Sequence, residues 1–282
     1  MIAKPKKFLC LAIVLLVVCI PLVAWFVCTG EVYADSPPGF GKGNPSEQAE
    51  EAIDVHKPIT PGGQYKRLVL IHYAKPPKPD KPDKPGKPEP EEPEEPDNDA
   101  YVLLGLQWAD LPVSYVIDPD YAPDGSVGEI EAAYEAWDYA TTSTELFDDN
   151  VIVDPSVAPS VNSPDGVNTV SWRRVVPPNV IAVTLIWYNP DTDEMIDCDV
   201  VMNTKHDWGI DPDGEEEEFG LKRAFDVRNI VTHEAGHVVG LGDLYDDIYR
   251  ELTMYGYSSE GETKKISLQN GDILGCQYLY EN

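Results

Sequence analysis

Residues 100–282 alternate between short apolar runs rich in β-branched residues and stretches with helical spacing. The apolar runs end at Pro, Asn or Asp, which is typical of strands bounded by turns. Between the first two runs, Ile130, Tyr134, Trp137 and Thr141 share one helical face, and Ser126 with Glu129 has the pattern of an N-terminal capping box. This order predicts an α+β fold, a mixed sheet packed on a helix. The predicted strands are LPVSYVID (111–118), TVSWRRV (169–175), VIAVTLIWY (180–188) and CDVVMN (198–203).

Two further helices are predicted in the last quarter of the chain. One begins near Asp226, a good N-cap residue, and carries Val227, Ile230, Val231 and Val238 as its apolar positions. The other begins near Ser267 and closes the chain.

The N-terminal residues have the pattern of an export signal. Lys4, Lys6 and Lys7 precede an apolar run over 8–28, and Val-Tyr-Ala precedes Asp35, as at a signal-peptidase site. The run is longer than the ~7–15 residues of an ordinary signal core and approaches the ~20 that span a bilayer. Residues 1–34 are therefore either a cleaved signal peptide or a membrane anchor, and both predict a secreted or extracellular protein.

A proline-rich, charged segment separates this start from the rest of the chain. Residues 75–97 read KPPKPDKPDKPGKPEPEEPEEPD, a composition that favours extended polyproline II and cannot form a core. We interpret 75–99 as a linker and 100–282 as a single domain. Ahead of the linker, 35–74 is a short propeptide-like or unassigned segment whose clearest strand pattern is RLVLIHY (67–73).

The charge balance excludes nucleic acid as a partner. Asp and Glu number 50 against 21 Lys and Arg, for a net charge of -29, which repels phosphate backbones. The acidic loops NPDTDE (189–194) and DPDG (211–214) are either simple turns or calcium sites. Outside the apolar run the cysteines are Cys198 and Cys276, and their patterns favour two separately buried thiols over a disulfide.

The segment HEAGH (233–237) carries the clearest chemistry. On a helix, residues four apart point in nearly the same direction, so His233 and His237 can hold one metal ion. Glu234 lies beside that row, where a general base for an attacking water belongs. The alternative is ordinary packing and surface charge on a helix.

Residues 240–243 extend the motif. Gly240 and Gly242 permit the chain to end the helix and turn back, which brings Asp243 toward the metal. Zinc accepts carboxylate oxygen as a ligand and needs a third one. Since the chain has five histidines, and the others lie before the linker or in a loop, Asp243 is the best candidate. Its alternative role is a solvated carboxylate at a helix end.

Residues 233–243, HEAGHVVGLGD, followed by a Thr-Met-Tyr-Gly turn at 253–256, resemble the metzincin zinc endopeptidases, and within them the matrixin-like branch. The pattern H-E-x-x-H-x-x-G-x-x-H/D matches, and Met254 matches the methionine of the Met-turn. The position two residues after Met254 is Gly256, where astacin-like relatives have tyrosine. The likeness is strong from 226 to 281, weaker from 100 to 225, and does not include residues before Ala100.

The resemblance implies a twisted, mostly parallel sheet with one antiparallel edge, an active-site helix and a C-terminal helix. It implies that DCDVVMN (197–203) is the edge strand that aligns an extended peptide over the zinc, that Met254 lies beneath the metal, and that Tyr257 borders a substrate pocket. The chain departs from animal matrixins in having Asp243 as the third ligand and in having no cysteine between 29 and 197 for a thiol switch.

We therefore expect an exported zinc endopeptidase that acts on proteins or peptides, with His233, His237 and Asp243 as ligands and Glu234 as general base. The alternatives are a catalytically weak cell-surface binding or structural module of the same fold and a metal-dependent hydrolase of a non-peptide substrate. Calcium, a membrane tether through residues 8–28, and the oligomeric state stay open.

Overall fold

The computed structural model describes residues 32–33 (backbone only), 52–56, 64–76, 96–211 and 223–281. Its helices are α1 (Ser126–Asp138), α2 (Val227–Val239) and α3 (Asn270–Tyr280), with short 3-10 helices at Asp247–Tyr249 and Lys264–Ile266. Its strands are β1 (Val32–Tyr33), β2 (Ile53–Asp54), β3 (Lys66–Ala74), β4 (Val102–Leu103), β5 (Gln107–Trp108), β6 (Val116–Ile117), β7 (Ile152–Val153), β8 (Thr169–Arg173), β9 (Val175–Val176), β10 (Val180–Asn189), β11 (Glu194–Asn203), β12 (Trp208–Gly209), β13 (Phe225–Asp226), β14 (Leu241–Gly242) and β15 (Tyr257–Ser258).

The main sheet has nine strands in the order β1-β3-β10-β11-β8-β6-β7, with β15 also paired to β3 and β5 to β11. Every strand of this sheet runs in the same direction except β10, which is antiparallel to both β3 and β11. The predicted α+β class with a mostly parallel, mixed sheet is confirmed.

The predicted edge strand DCDVVMN is not at an edge. It lies within β11, which pairs with β10 on one side and with β8 on the other. The reason is visible in its burial: every residue from Asp197 to Asn203 is buried, including Asp197 and Asp199, so both faces and both edges of the strand are covered. The sequence alternation was correct for a strand but did not specify its place in the sheet.

The strand predicted ahead of the linker is β3, and it lies inside the main sheet. It pairs with β10 from Lys66 opposite Tyr188 to Tyr73 opposite Val180. Val69 and Leu70 are fully buried. The domain limits drawn from composition, with a boundary near Ala100, stay a prediction.

Helices α1 and α2 pack on one face of the sheet. Ile130, Tyr134 and Trp137 are buried on the predicted face of α1, whereas Thr141 lies beyond the end of the helix at Asp138. The Trp137 indole Nε1 donates to the Thr232 carbonyl of α2 at 2.9 Å. The capping box predicted at Ser126 is wrong. The N-cap is Gly125, with φ of 93°, and Ser126 is the first residue of the helix.

Helix α3 begins at Asn270, slightly later than predicted, with Gln269 as N-cap. Cys198 and Cys276 are both buried and unbonded, which confirms two separate thiols. Within the described ranges, no helix is long and apolar enough to span a bilayer. The apolar run 8–28 and most of DPDG (211–214) lie outside those ranges.

Candidate metal centre

The HEAGH segment lies on helix α2, and all five of its residues are buried. Its N-cap is Asp226, as predicted, and the Asp226 carboxylate accepts the backbone N–H of Asn229 at 2.7 Å. Gly240 ends the helix with φ of 113°, a left-handed conformation that favours glycine. An added Cβ there would lie 2.7 Å from the Leu106 carbonyl oxygen. Both the conformation and the close approach therefore require glycine at this position.

The two histidine rings of α2 are held by backbone carbonyls. His233 Nδ1 lies 2.7 Å from the Thr253 carbonyl oxygen, and His237 Nδ1 lies 2.8 Å from that of Leu241. Since a carbonyl only accepts, each Nδ1 donates its proton, and each Nε2 then carries a lone pair. Burial lowers the pKa of His233 to about 3 and also lowers that of His237. Both rings are therefore neutral.

Asp243 completes the cluster, because the turn after Gly240 returns it to the helix. Its Oδ1 lies 3.1 Å from His233 Nε2 and 3.6 Å from His237 Nε2. Its Oδ2 accepts the Tyr245 hydroxyl at 3.0 Å, which orients the carboxylate. Both Nε2 atoms and Oδ1 are buried and have no hydrogen-bond partner.

This donor set fits a zinc ion. Three acceptor atoms face one another without a proton between them, an arrangement that is unfavourable in a buried site unless a cation lies among them. Two ligands of a tetrahedral zinc, each at ~2.0–2.1 Å from the metal, lie about 3.4 Å apart, which matches the 3.1 and 3.6 Å separations. The predicted ligands are brought together, and their role as ligands stays a prediction.

Glu234 lies beside the cluster and points to the sheet. Its Oε2 accepts the Thr184 hydroxyl of β10 at 2.6 Å, and its Oε1 lies 3.0 Å from His72 Nδ1 of β3. Burial raises the pKa of Glu234 to about 8. Such a carboxyl group can hold or release a proton near neutral pH, which is what a general base requires.

The Met-turn lies under α2. Met254 is 1% exposed, and a Cβ added to Gly236 would lie 2.2 Å from its sulfur, so Met254 packs against the helix between the two histidines. The Asp272 carboxylate of α3 accepts the backbone N–H groups of Thr253 and Met254 at 2.9 and 3.1 Å. The last helix therefore fixes the turn whose carbonyl orients His233.

Tyr257 lies in β15, next to β3. It is 9% exposed, its ring centroid is 5.5 Å from that of Tyr245, and it pairs with Tyr73. Its role in a substrate pocket stays a prediction. In this structure the backbone neighbour of Tyr257 is β3.

The sequence interpretation missed four residues at this site: His72, Thr184, Tyr245 and Lys265. His72 precedes the linker, and the sequence signal that could have indicated it is its place in a clear strand pattern. Lys265 is fully buried, and burial lowers its pKa to about 8. Its Nζ donates to the Tyr255 carbonyl and lies 3.4 Å from His72 Nε2. A single lysine after the Met-turn does not indicate, from the sequence alone, that its side chain is buried at the site.

Comparison with known proteins shows what the part of the chain that carries these positions resembles. Residues 167–281 match the family model of the matrixins, peptidase family M10. This match covers α2, the candidate ligands and the Met-turn. Over residues 167–281 the chain is therefore similar to the matrixins.

Relatives of this matrixin-like domain include two plant proteins. An 80-residue stretch is 31% identical to metalloendoproteinase 2-MMP of Arabidopsis thaliana, covering 28% of this chain and 20% of that protein. A 73-residue stretch is 33% identical to metalloendoproteinase 4-MMP of the same plant, covering 26% and 19%. The chain thus spans about a fifth of the length of these relatives. The resemblance drawn from the motif is confirmed.

Proposed function

We propose that this protein is an exported, zinc-dependent endopeptidase that hydrolyses peptide bonds in proteins or peptides. The observation that carries the proposal is the convergence of His233 Nε2, His237 Nε2 and Asp243 Oδ1 in a buried, proton-free cluster beside Glu234. The matrixin match and the names of the Arabidopsis relatives support a metalloprotease. The basic start and the apolar run 8–28 support export.

The roles of the chain's own residues follow from their positions. His233, His237 and Asp243 would hold zinc, and bound zinc would supply Lewis-acid chemistry that polarises the peptide carbonyl and makes water a better nucleophile. Glu234 Oε1 takes the proton of the attacking water and returns it to the nitrogen of the leaving amine. Thr184 keeps the other carboxylate oxygen fixed through its 2.6 Å hydrogen bond, so Oε1 is the oxygen that exchanges the proton.

The test is hydrolysis of labelled casein by the zinc-loaded protein, with and without a zinc chelator, and by Glu234→Ala. We expect chelation and Glu234→Ala each to abolish hydrolysis, while Glu234→Ala keeps its zinc because Glu234 is not a ligand. Wild type and Glu234→Ala are each assayed as the intact chain and after a cut in the linker, residues 75–99. Normal hydrolysis by zinc-loaded Glu234→Ala would refute the mechanism. Zinc binding without hydrolysis in any form would favour a binding module of the same fold.

A further inference from the structure

Strand β3 occupies a position between two strands of the matrixin-like domain. On one side it is antiparallel to β10. On the other side β1 pairs with it in parallel at Leu68 and Val69, and its end is parallel to β15, with Tyr73 opposite Tyr257 and Ala74 opposite Ser258. Of the described strands, β10 has β11 as its other neighbour. Without β3, β10 and β15 would therefore present two unpaired edges on either side of a slot. An extended peptide binds to such edges by adding a strand.

The side chains of β3 alternate between the two faces of the sheet. Leu68 and Leu70 pack in the core that includes α2, and Val69, Ile71 and Tyr73 pack in the core on the opposite face. His72 is next on the α2 side, because side chains two apart in a strand share a face. The alternation therefore directs the His72 imidazole at HEAGH.

His72 makes its contacts with the candidate catalytic groups. Its Nδ1 lies 3.0 Å from Glu234 Oε1, its Nε2 lies 3.1 Å from the Ser258 hydroxyl, and its ring centroid is 3.9 Å from that of His233. Both His72 and Glu234 are 0% exposed. With Thr184 on the other oxygen, Glu234 has both carboxylate oxygens engaged, so neither a water nor a peptide carbonyl can reach it in this form.

We propose that residues 66–74 are an internal occupant of the domain's peptide-binding edge, lying as an extended, substrate-like strand that must leave before a protein substrate can bind. The inference rests on the proposed function, since it equates the slot between β10 and β15 with the substrate's place. It supplies a latency mechanism for a chain that has no cysteine between 29 and 197.

The covalent connection through residues 75–99 strengthens the binding of residues 66–74 to the slot while the chain is intact. A tethered segment binds at an effective concentration of roughly millimolar, whereas a cut segment can dissociate on dilution. The linker's proline and charge content makes it a natural place for such a cut. One cleavage there would convert a closed site into an open one without any change inside the domain.

The test uses the full chain with a recognition sequence for a site-specific protease placed within residues 81–90. Casein hydrolysis is measured for the intact chain, for the cut chain after dilution, and for the cut chain with a synthetic peptide of residues 64–76 added back. We expect the intact chain to be at least tenfold slower than the cut chain and the added peptide to inhibit. The peptide with His72→Ala should inhibit at least tenfold more weakly, and the Lys66→Ala control should inhibit like the parent.

A second readout separates this inference from the proposed function. Binding of a fluorescent 64–76 peptide to the cut chain, freed of its own segment by gel filtration, is followed by anisotropy, with circular dichroism as the measure of folding. Saturable binding to a folded chain without hydrolysis in any form would refute the proposed function and support the occupant. Equal activity of the intact and cut chains, or unfolding when the segment leaves, would show that β3 is an ordinary structural strand.

Discussion

Asp272 accepts the backbone N–H of Thr253 at 2.9 Å, and the Thr253 carbonyl accepts the proton of His233 Nδ1. These two hydrogen bonds connect the N-terminal cap of α3 to a candidate metal ligand. Asp272 also accepts the N–H groups of Met254 and Gln269. Its removal therefore disturbs the helix cap, the Met-turn and the orientation of His233 together.

We expect Asp272→Ala to lower both stability and zinc affinity. Each buried N–H left without an acceptor costs about 1–3 kcal/mol, so loss of the acceptor for the buried N–H groups of Thr253 and Met254 should lower the free energy of unfolding by about 2–6 kcal/mol in urea unfolding. Loss of a group that orients a metal-binding histidine lowers metal affinity by roughly 10–100-fold. The control is Asp247→Ala, whose side chain is 75% exposed. Unchanged zinc affinity in a folded Asp272→Ala protein would contradict the claim that Asp272 orients His233 through the Thr253 backbone.

Substitution of Asp243 tests the third ligand. Asp243→Ala leaves two ligands, so we expect zinc to be lost from the purified protein, as measured by atomic absorption. Asp243→His should keep zinc if the turn after Gly242 adjusts to the longer side chain. Replacing a carboxylate by a neutral imidazole raises the site's net charge from about +1 to +2, which should shift the acidic limb of the pH–rate profile to lower pH.

Tyr245→Phe is the matched control for this experiment. It removes the hydrogen bond to Asp243 Oδ2 and leaves Oδ1 facing the histidines. We expect zinc to be retained with reduced affinity. Full zinc occupancy in Asp243→Ala would remove Asp243 from the ligand set.

The parts of the site that the sequence predicts are those that one helix and its exit specify. His233, Glu234 and His237 have a fixed relation on any α-helix, and Gly240 marks the end of this one. Asp243 followed from the need for a third ligand. In all these cases the groups lie within eleven residues of one another, so local geometry determines where they meet.

The missed contacts depend on pairing between distant strands. His72 and Glu234 are 162 residues apart, and their contact requires β3 to pair with β10 in one register. A strand pattern gives the face of each side chain but not its neighbours in the sheet. The same limitation explains the wrong placement of DCDVVMN at an edge. The cap at Ser126 failed for a local reason, because Gly125 adopts a left-handed conformation that takes the N-cap position.

Gly236 is expected to be intolerant of any side chain. A Cβ at this position would lie 2.2 Å from Met254 Sδ and 2.6 Å from a ring carbon of Trp137. Overpacking of this kind destabilises by about 1–3 kcal/mol, which exceeds the helix propensity gained from alanine. We expect Gly236→Ala to lower the free energy of unfolding.

Gly128→Ala in α1 is the control, since a Cβ there has no atom within 4 Å. It should leave stability unchanged or raise it by up to about 1 kcal/mol. Both variants are compared by urea denaturation. Equal stabilities would show that Met254 and Trp137 adjust freely around position 236.

Asp199 makes stability depend on pH in the opposite sense to an ordinary surface carboxylate. It is fully buried in β11 and accepts the backbone N–H groups of Ser160 and Thr169. Burial, followed by the nearby Asp197 charge, raises its pKa to about 7. Since the folded state then binds a proton that the unfolded state has already released, this residue's contribution to stability is complete below pH ~4 and falls as the pH rises to ~7. Asp199→Asn cannot ionise, so its free energy of unfolding relative to wild type should increase between pH 5 and pH 8.

The control is exposed Asp154, whose pKa is lowered by hydrogen bonds from Ser156, so Asp154→Asn should show a constant difference over that range. Urea unfolding of the three proteins at both pH values decides, and a constant difference for Asp199→Asn would mean that Asp199 is already ionised at pH 5.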